Sequence, residues 1–223
     1  MAIREKEMKS LKEMILTMAS YVEVSIRNSV RALVERDVKL AERVIKNDHL
    51  INTYDIKINE ECIRLLALRA PVAKELRFIT TGMKITTDLE RIADHSSNIS
   101  ERVIEIKDDL YNFVDADIPR MKDVVQNMVK DSIDAFVNED KALAISVIER
   151  DDEVDDLNIS IIQNLINEMT EKPHMLFIST KLSHISRSLE RIADHSTNIA
   201  EMVIYMIDGR IIRHIVDIKD IEL

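Results

Sequence analysis

The stretch Asp88-Leu89-Glu90-Arg91-Ile92-Ala93-Asp94-His95-Ser96-Ser97-Asn98-Ile99-Ser100-Glu101-Arg102-Val103 returns as Ser188–Val203, with twelve of sixteen positions identical at an offset of 100. Upstream the offset widens to 103, where Ser29/Ser132, Asp37/Asp140, Ala41/Ala144, Val44/Val147, Ile45/Ile148 and Asp48/Asp151 coincide. The three-residue difference falls between Leu65 and Leu76, around Pro71 and its counterpart Pro173. A change of length at a proline turn is what tandem copies of one helical unit show. The chain therefore reads as a duplication, with one copy over residues 1–111 and the other over 112–223.

Each copy carries the 3.6-residue apolar period of long amphipathic helices. Leu11, Met14, Ile15, Met18, Tyr21, Val22, Ser25 and Ile26 share one face of a first helix running from about Glu5 to Arg36. Asp37 is placed to cap a short segment over Val38–Asn47, and Asp48 to cap a second long helix ending near Arg69. Pro71 is expected to open the third helix, which runs to about Leu110. The second copy repeats the order over Pro119–Val137, Lys141–Arg150, Asp152–Thr170 and His174–Asp208, with Gly209 just past the last turn. The expected fold class is all-α, a tandem duplication of a three-helix bundle. A short connector over Asn112–Asp117 keeps the two bundles in touch.

Composition agrees and excludes other classes. Two Gly, three Pro, 4% aromatic residues and no Trp are too few turn and platform residues for a β-sandwich or a Rossmann-type sheet, and no Gly-rich phosphate loop occurs. The single Cys62 excludes an intramolecular disulfide and any multi-cysteine metal or iron–sulfur site; in the apolar run Cys62–Leu66 it reads as a core residue. A net charge of −10 argues against nucleic acid and against anionic lipid as partners. The start Met1–Glu7 has no apolar stretch of the secretory kind, and the longest run without Asp, Glu, Lys or Arg, Leu157–Asn167, is too short to span a bilayer. A cytoplasmic protein without membrane insertion is expected. The eleven methionines lie along apolar faces and read as core filler.

The acidic residues form stripes. At 100° per residue, Glu90, Asp94 and Glu101 fall within roughly 40° of one another on the third helix, opposite Ile85, Leu89, Ile92, Ile99 and Val103. The second copy repeats this with Glu190, Asp194 and Glu201, and Asn98 and Asn198 edge the two stripes. The second helices carry further ladders: Asp48, Asn52, Asp55 and Asn59 in one copy, Asp151, Asp155 and Asn158 in the other. Carboxylates that meet across a helix seam repel unless cations, protons or distance intervene, and a hard multivalent cation suits such oxygen ligands. The competing reading is a solvated face, with Asp48 and Asp151 serving as caps. His95 and His195 point about 100° away from the stripe and read as interface residues. The Glu-x-x-His spacing of di-iron bundles is absent from this segment.

The twice-written Leu-Glu-Arg-Ile-Ala-Asp-His-Ser-x-Asn-Ile resembles the signature of the PhoU family. The run Asp151-Asp152-Glu153-Val154-Asp155 resembles the family's second-helix motif, and Asn198–Tyr205 with Gly209 and Arg213-His214 its C-terminal end. The resemblance implies two three-helix bundles and metal ions, possible identities being iron, zinc, manganese or magnesium, in multinuclear clusters on the surface. By position the metal ligands implied are Glu90, Asp94, Glu190 and Asp194 on the third helices, with Asp48, Asn52, Asp151 and Asp155 on the second; Glu101 and Glu201 extend the stripes. Asn52 departs from the pattern, an amide standing where the family has a carboxylate, and Ala93 and Ala193 stand where it commonly has Gly. The resemblance further implies a homodimeric, non-enzymatic regulator of phosphate uptake and phosphate-starvation signalling. Its partners would be the ATPase subunit of a phosphate ABC transporter and a sensor histidine kinase. Two alternatives stay open: an accessory protein of another phosphate or anion transporter, and a carboxylate-cluster metalloenzyme.

Overall fold

The computed structural model describes residues 2–107 and 117–210. Its helices are α1 (Ala2–Glu35), α2 (Val38–Arg69), α3 (Lys74–Glu105), α4 (Asp117–Asn138), α5 (Lys141–Glu149), α6 (Asp151–Glu171) and α7 (Leu176–Asp208), with a 3₁₀ turn at Pro173–Met175. No strand occurs among the described residues. The 111/112 boundary, the connector as far as Ala116, the third helix beyond Lys107 and the pair Arg213-His214 lie outside the described residues.

In the first copy α1, α2 and α3 pack on one another; in the second, α7 packs on α4, α5 and α6. The ends of α1 and α4 show the duplication at the level of dihedral angles. Arg36 and Glu139, neither a glycine, both turn left-handed, at φ 59° and 55°. The following amides, of Asp37 and Asp140, each donate to a carbonyl five residues back, Ala32 and Ala135, at 2.9 Å. This is the Schellman closure, which satisfies a carbonyl left orphaned at a helix end. Asp37 and Asp140 then cap the next helices by accepting from the amides of Leu40 and Leu143, at 2.9 and 3.0 Å.

Two local expectations are corrected. Asp48 caps nothing: α2 runs through it from Val38 to Arg69, with Asp37 as its cap. The second copy does break at the equivalent place, where Arg150 separates α5 from α6 and is tied by Nη2 to Asp131 at 2.6 Å. Pro71 does not open a helix either. It stands in the turn Ala70–Ala73, whose two alanines take φ 41° and 42°, and α3 starts at Lys74. In the second copy Pro173 opens the 3₁₀ turn that contains His174, and α7 starts at Leu176. Gly209 ends α7 as expected, at φ 72° with its amide donating to the Tyr205 carbonyl at 2.8 Å.

The apolar period is fulfilled. Leu11, Ile15, Met18, Val22 and Ile26 are fully buried, as is Cys62, whose thiol burial pushes up to about 12. Tyr21, expected on that face, is 37% exposed and leans on the Tyr54 ring at 5.7 Å. One continuous core joins the copies. Helices α3 and α7 lie antiparallel against each other: Arg77 Nε donates to the Met206 carbonyl (2.9 Å) at one end, and Lys181 pairs with Glu105 (2.6 Å) at the other. A second contact sets α1 on α4, and beside it Phe78 of α3 stacks on Phe136 of α4 at 5.0 Å. Leu89→Ala and Leu189→Ala, both at 0% exposure, should each cost about 2–5 kcal/mol. Because the core is shared, both should lower the midpoint of a single urea transition followed by circular dichroism. Two separated transitions would show that the copies unfold independently.

Candidate metal centres

Along the α2–α3 seam the acid ladders meet. Glu90 and Asp94 are partly covered, and burial first, then neighbouring carboxylates, raises both above the usual carboxylate range. Asp94, Asp55 and Asp48 act on Glu90, and Asp48 acts on Asp94, with Arg91 opposing in each case. Asn52 Nδ2 donates to Asp48 Oδ2 at 2.9 Å, so the amide relieves a repulsion that a second carboxylate would create. Asp48 Oδ1 and Asn52 Oδ1 remain buried with no hydrogen-bond donor. Asp55 is occupied differently, accepting from Asn59 Nδ2 at 2.9 Å.

The α6–α7 seam is more crowded. Asp151 sits in the first turn of α6, where the helix dipole favours a negative charge. Its carboxyl is nevertheless pushed up to about 6, by burial and then by Asp155, Asp194, Asp152 and Glu190. Burial and the neighbouring carboxylates together therefore outweigh the dipole. Glu190 is raised by burial and by Asp194 and Asp155, against Arg191 and Arg187. Asp194 is raised by burial and by Asp155, and accepts a 3.3 Å hydrogen bond from Arg191.

The structure thus gathers Asp48, Asn52, Glu90 and Asp94 along one seam, and Asp151, Asp155, Glu190 and Asp194 along the other. Glu101 is exposed and paired with Arg102 at 3.2 Å, and is not among the groups that shift Glu90 or Asp94. Glu201, in the equivalent place, is half-buried. Among the described residues no three His, Cys, Asp or Glu side chains already converge on a point that could hold a metal ion. The donor set, all oxygen with two buried acceptors lacking a donor, is of the kind a hard cation satisfies.

Sequence reasoning missed the contacts that need tertiary proximity. Asn158 is buried and its Oδ1 accepts from Ser186 at 2.6 Å. His195 Nδ1 meets Asp88 Oδ1 at 2.9 Å across the α3–α7 seam. The His95 and His195 rings lie 5.7 Å apart, so both are interface histidines as expected, and burial with the facing ring and Arg191 and Arg91 pushes His95 down to about 4. A signal for the Asp88 contact was present: Asp88/Ser188 and Arg102/Met202 are the two charge-changing differences within the repeated phrase.

An all-α tandem bundle with acidic seams on α2–α3 and α6–α7 defines the class. The family model of the PhoU domain matches residues 15–103 and again 118–203. The phosphate-specific transport system accessory protein PhoU homolog of Pseudomonas putida is 36% identical over 211 residues, covering 93% of this chain and 82% of the relative. The crystal structure of PhoU from Pseudomonas aeruginosa superposes with TM-score 0.88 at 35% identity, over 92% of this chain and 99% of that one. That of the phosphate transport system regulatory protein PhoU from Streptococcus pneumoniae gives TM-score 0.88 at 28% identity, over 93% and 98%. The chain belongs to the PhoU family.

The crowding at Asp151 has a pH signature in metal-free protein. A carboxyl raised from 3.8 to about 6 in the folded state favours folding below the unfolded value and loses that contribution as pH rises through the folded one. Asp151→Asn should therefore stabilise the protein by about 1–2 kcal/mol at pH 7.5, a figure discounted for partial exposure, and by much less at pH 4.5. Urea denaturation in chelator at both pH values measures this, and equal effects at both would show that burial and its neighbours do not raise this carboxyl.

Proposed function

We propose that this protein is an accessory regulator of a phosphate-specific transport system and acts by docking rather than by catalysis. What carries the reading is likeness, in sequence and fold together, over more than nine-tenths of the chain to proteins named as accessory or regulatory parts of such systems. Its partners in this reading are the ATPase subunit of a phosphate ABC transporter and a sensor histidine kinase, met in the cytoplasm at the inner face of the membrane. No helix among the described residues is long and apolar enough to cross a membrane, so the contact is assigned to helical surfaces. Occupancy of one partner surface would then bias the other, a coupling between two sites. A homodimer is part of the same proposal.

The metal ions that the family implies fit this chain because Asp48 Oδ1 and Asn52 Oδ1 are buried acceptors without a donor and because the second copy crowds its carboxylates. Asp48, Asn52, Glu90 and Asp94 would hold ions on one seam, with Glu101 at its outer end. Asp151, Asp155, Glu190 and Asp194 would do so on the other, with Glu201 at its end. Bound cations supply positive charge that cancels the repulsion; the chain's own contribution is to hold α2 against α3 and α6 against α7 so that the oxygens face one seam.

Deleting the protein in its host should derepress phosphate-starvation genes or leave phosphate uptake unrestrained at high phosphate. Unchanged reporter expression and uptake would count against the regulatory reading. In metal titrations of the purified protein the second copy should bind more tightly, since affinity follows the number of charged ligands. Asn52→Asp should strengthen the first site, at the expense of the hydrogen bond to Asp48, and Asp155→Asn should weaken the second. If neither variant changes affinity or stoichiometry, the ladders are solvated faces and only the metal proposal falls.

A further inference from the structure

Duplication and antiparallel packing together create two equivalent positions at the α3–α7 seam. Each histidine of the repeated phrase faces the first residue of the other copy's phrase. His195 faces Asp88, and their side chains bond at 2.9 Å. His95 faces the equivalent residue of the other copy, Ser188, and there the arrangement differs. The Ser188 hydroxyl turns away and donates to the His184 carbonyl at 3.0 Å, and beside it opens a cavity of about 370 Å³. The cavity is lined by Arg102, Arg187 and Arg191, by His95 and His184, and by Asn98, and by no carboxylate.

The basic lining follows from the residues in which the copies differ. Arg187, His184 and Arg102 stand where the other copy has Thr87, Lys84 and Met202. Arg102 is held by Glu101 and Glu105 on its own helix, and Arg191 leans on Asp194. Arg187 is exposed and forms no ion pair among the described residues, although Glu190 feels its charge. In a chain of net charge −10 such a lining is out of keeping with the surface average. Guanidinium forks present paired N–H donors that match the oxygens of phosphate, and a phosphate group offers three or more oxygens where a carboxylate offers two. The volume exceeds what one phosphate group fills and lies in the range of small-molecule sites.

We propose that this cavity binds the phosphate group of a small soluble anion, whose oxygens take beside His95 the place that the Asp88 carboxylate takes beside His195. The site stands on the geometry of the seam and holds whether or not the protein regulates transport. Two sources share this chemistry, free phosphate or pyrophosphate and a nucleotide.

Isothermal titration of the full-length protein, in phosphate-free buffer with chelator, distinguishes them using orthophosphate, pyrophosphate, ATP and, as a carboxylate control, citrate. One-to-one binding of at least one phosphate compound, well above that of citrate, is expected. Orthophosphate or pyrophosphate binding at least as tightly as ATP would identify the free anion as the source; tighter ATP would identify the nucleotide. Arg187→Gln should weaken binding about tenfold or more, and Ser188→Asp, which restores the carboxylate of the other copy, should abolish it. Arg31→Gln, remote from the seam and paired with Glu35 on α1, should change nothing. Circular dichroism verifies that the variants keep their helices. No saturable binding of any phosphate compound at about 5 mM, citrate binding as tightly as the best of them, or binding undiminished in both Arg187→Gln and Ser188→Asp would overturn the proposal.

Discussion

The contact of α3 with α7 is the constraint on which the rest of the molecule hangs. Each of these helices is already covered by the other helices of its own copy, and the two then pack against each other along the junction of the copies. Between the large apolar residues both helices bury small ones: Ala93, Ser96 and Ser100 on one, Ala193, Ser196 and Ala200 on the other. The serine hydroxyls would be costly in such a place without partners. They are satisfied within their own helices, Ser96 and Ser196 donating to the carbonyls of Ile92 and Ile192 at 3.1 and 2.9 Å. Ser96 and Ser196 therefore ask nothing of a neighbouring helix, while His195 with Asp88, Arg77 with the Met206 carbonyl and Lys181 with Glu105 tie the two copies together across the seam.

With α3 and α7 occupied on their shared side, the acid ladders are left to the seams with α2 and α6. The two copies treat the same problem differently. The first substitutes Asn52, whose amide donates to Asp48, and so lowers its internal repulsion with a hydrogen bond. The second keeps Asp155 beside Asp151, and its repulsion adds to burial in making the Asp151 carboxyl resist ionisation. Duplicated sequence has thus become two electrostatically distinct surfaces on a nearly equivalent scaffold.

Much of the fold was legible because helical periodicity is a local property and the repeat supplied an independent check on it. Leu11, Ile15, Met18, Val22 and Ile26 could be placed in the core from spacing alone. Ends of helices were less legible. An aspartate such as Asp48 suits a cap and a mid-helix ladder equally well, and only the continuity of α2 decides between them. Pro71 suits both a first helical turn and the loop before it, and the latter is what the chain adopts. The stripes of Glu90/Asp94 and Glu190/Asp194 were visible for the same reason as the core. What faces them was not, because the partner of a side chain on α3 can lie 107 residues away, as His195 does from Asp88.

Cys62 gives the molecule a built-in reporter. It is the only thiol in the chain, it is fully enclosed on α2, and burial holds it protonated far above neutral pH. Since the thiolate is the reactive form, a thiol reagent has no target in the closed bundle and finds one only when α2 lifts from its neighbours. The rate at which native protein is alkylated therefore measures how often the first copy breathes. Anything that clamps α2 to α3 will register as a slower reaction at this one sulfur atom.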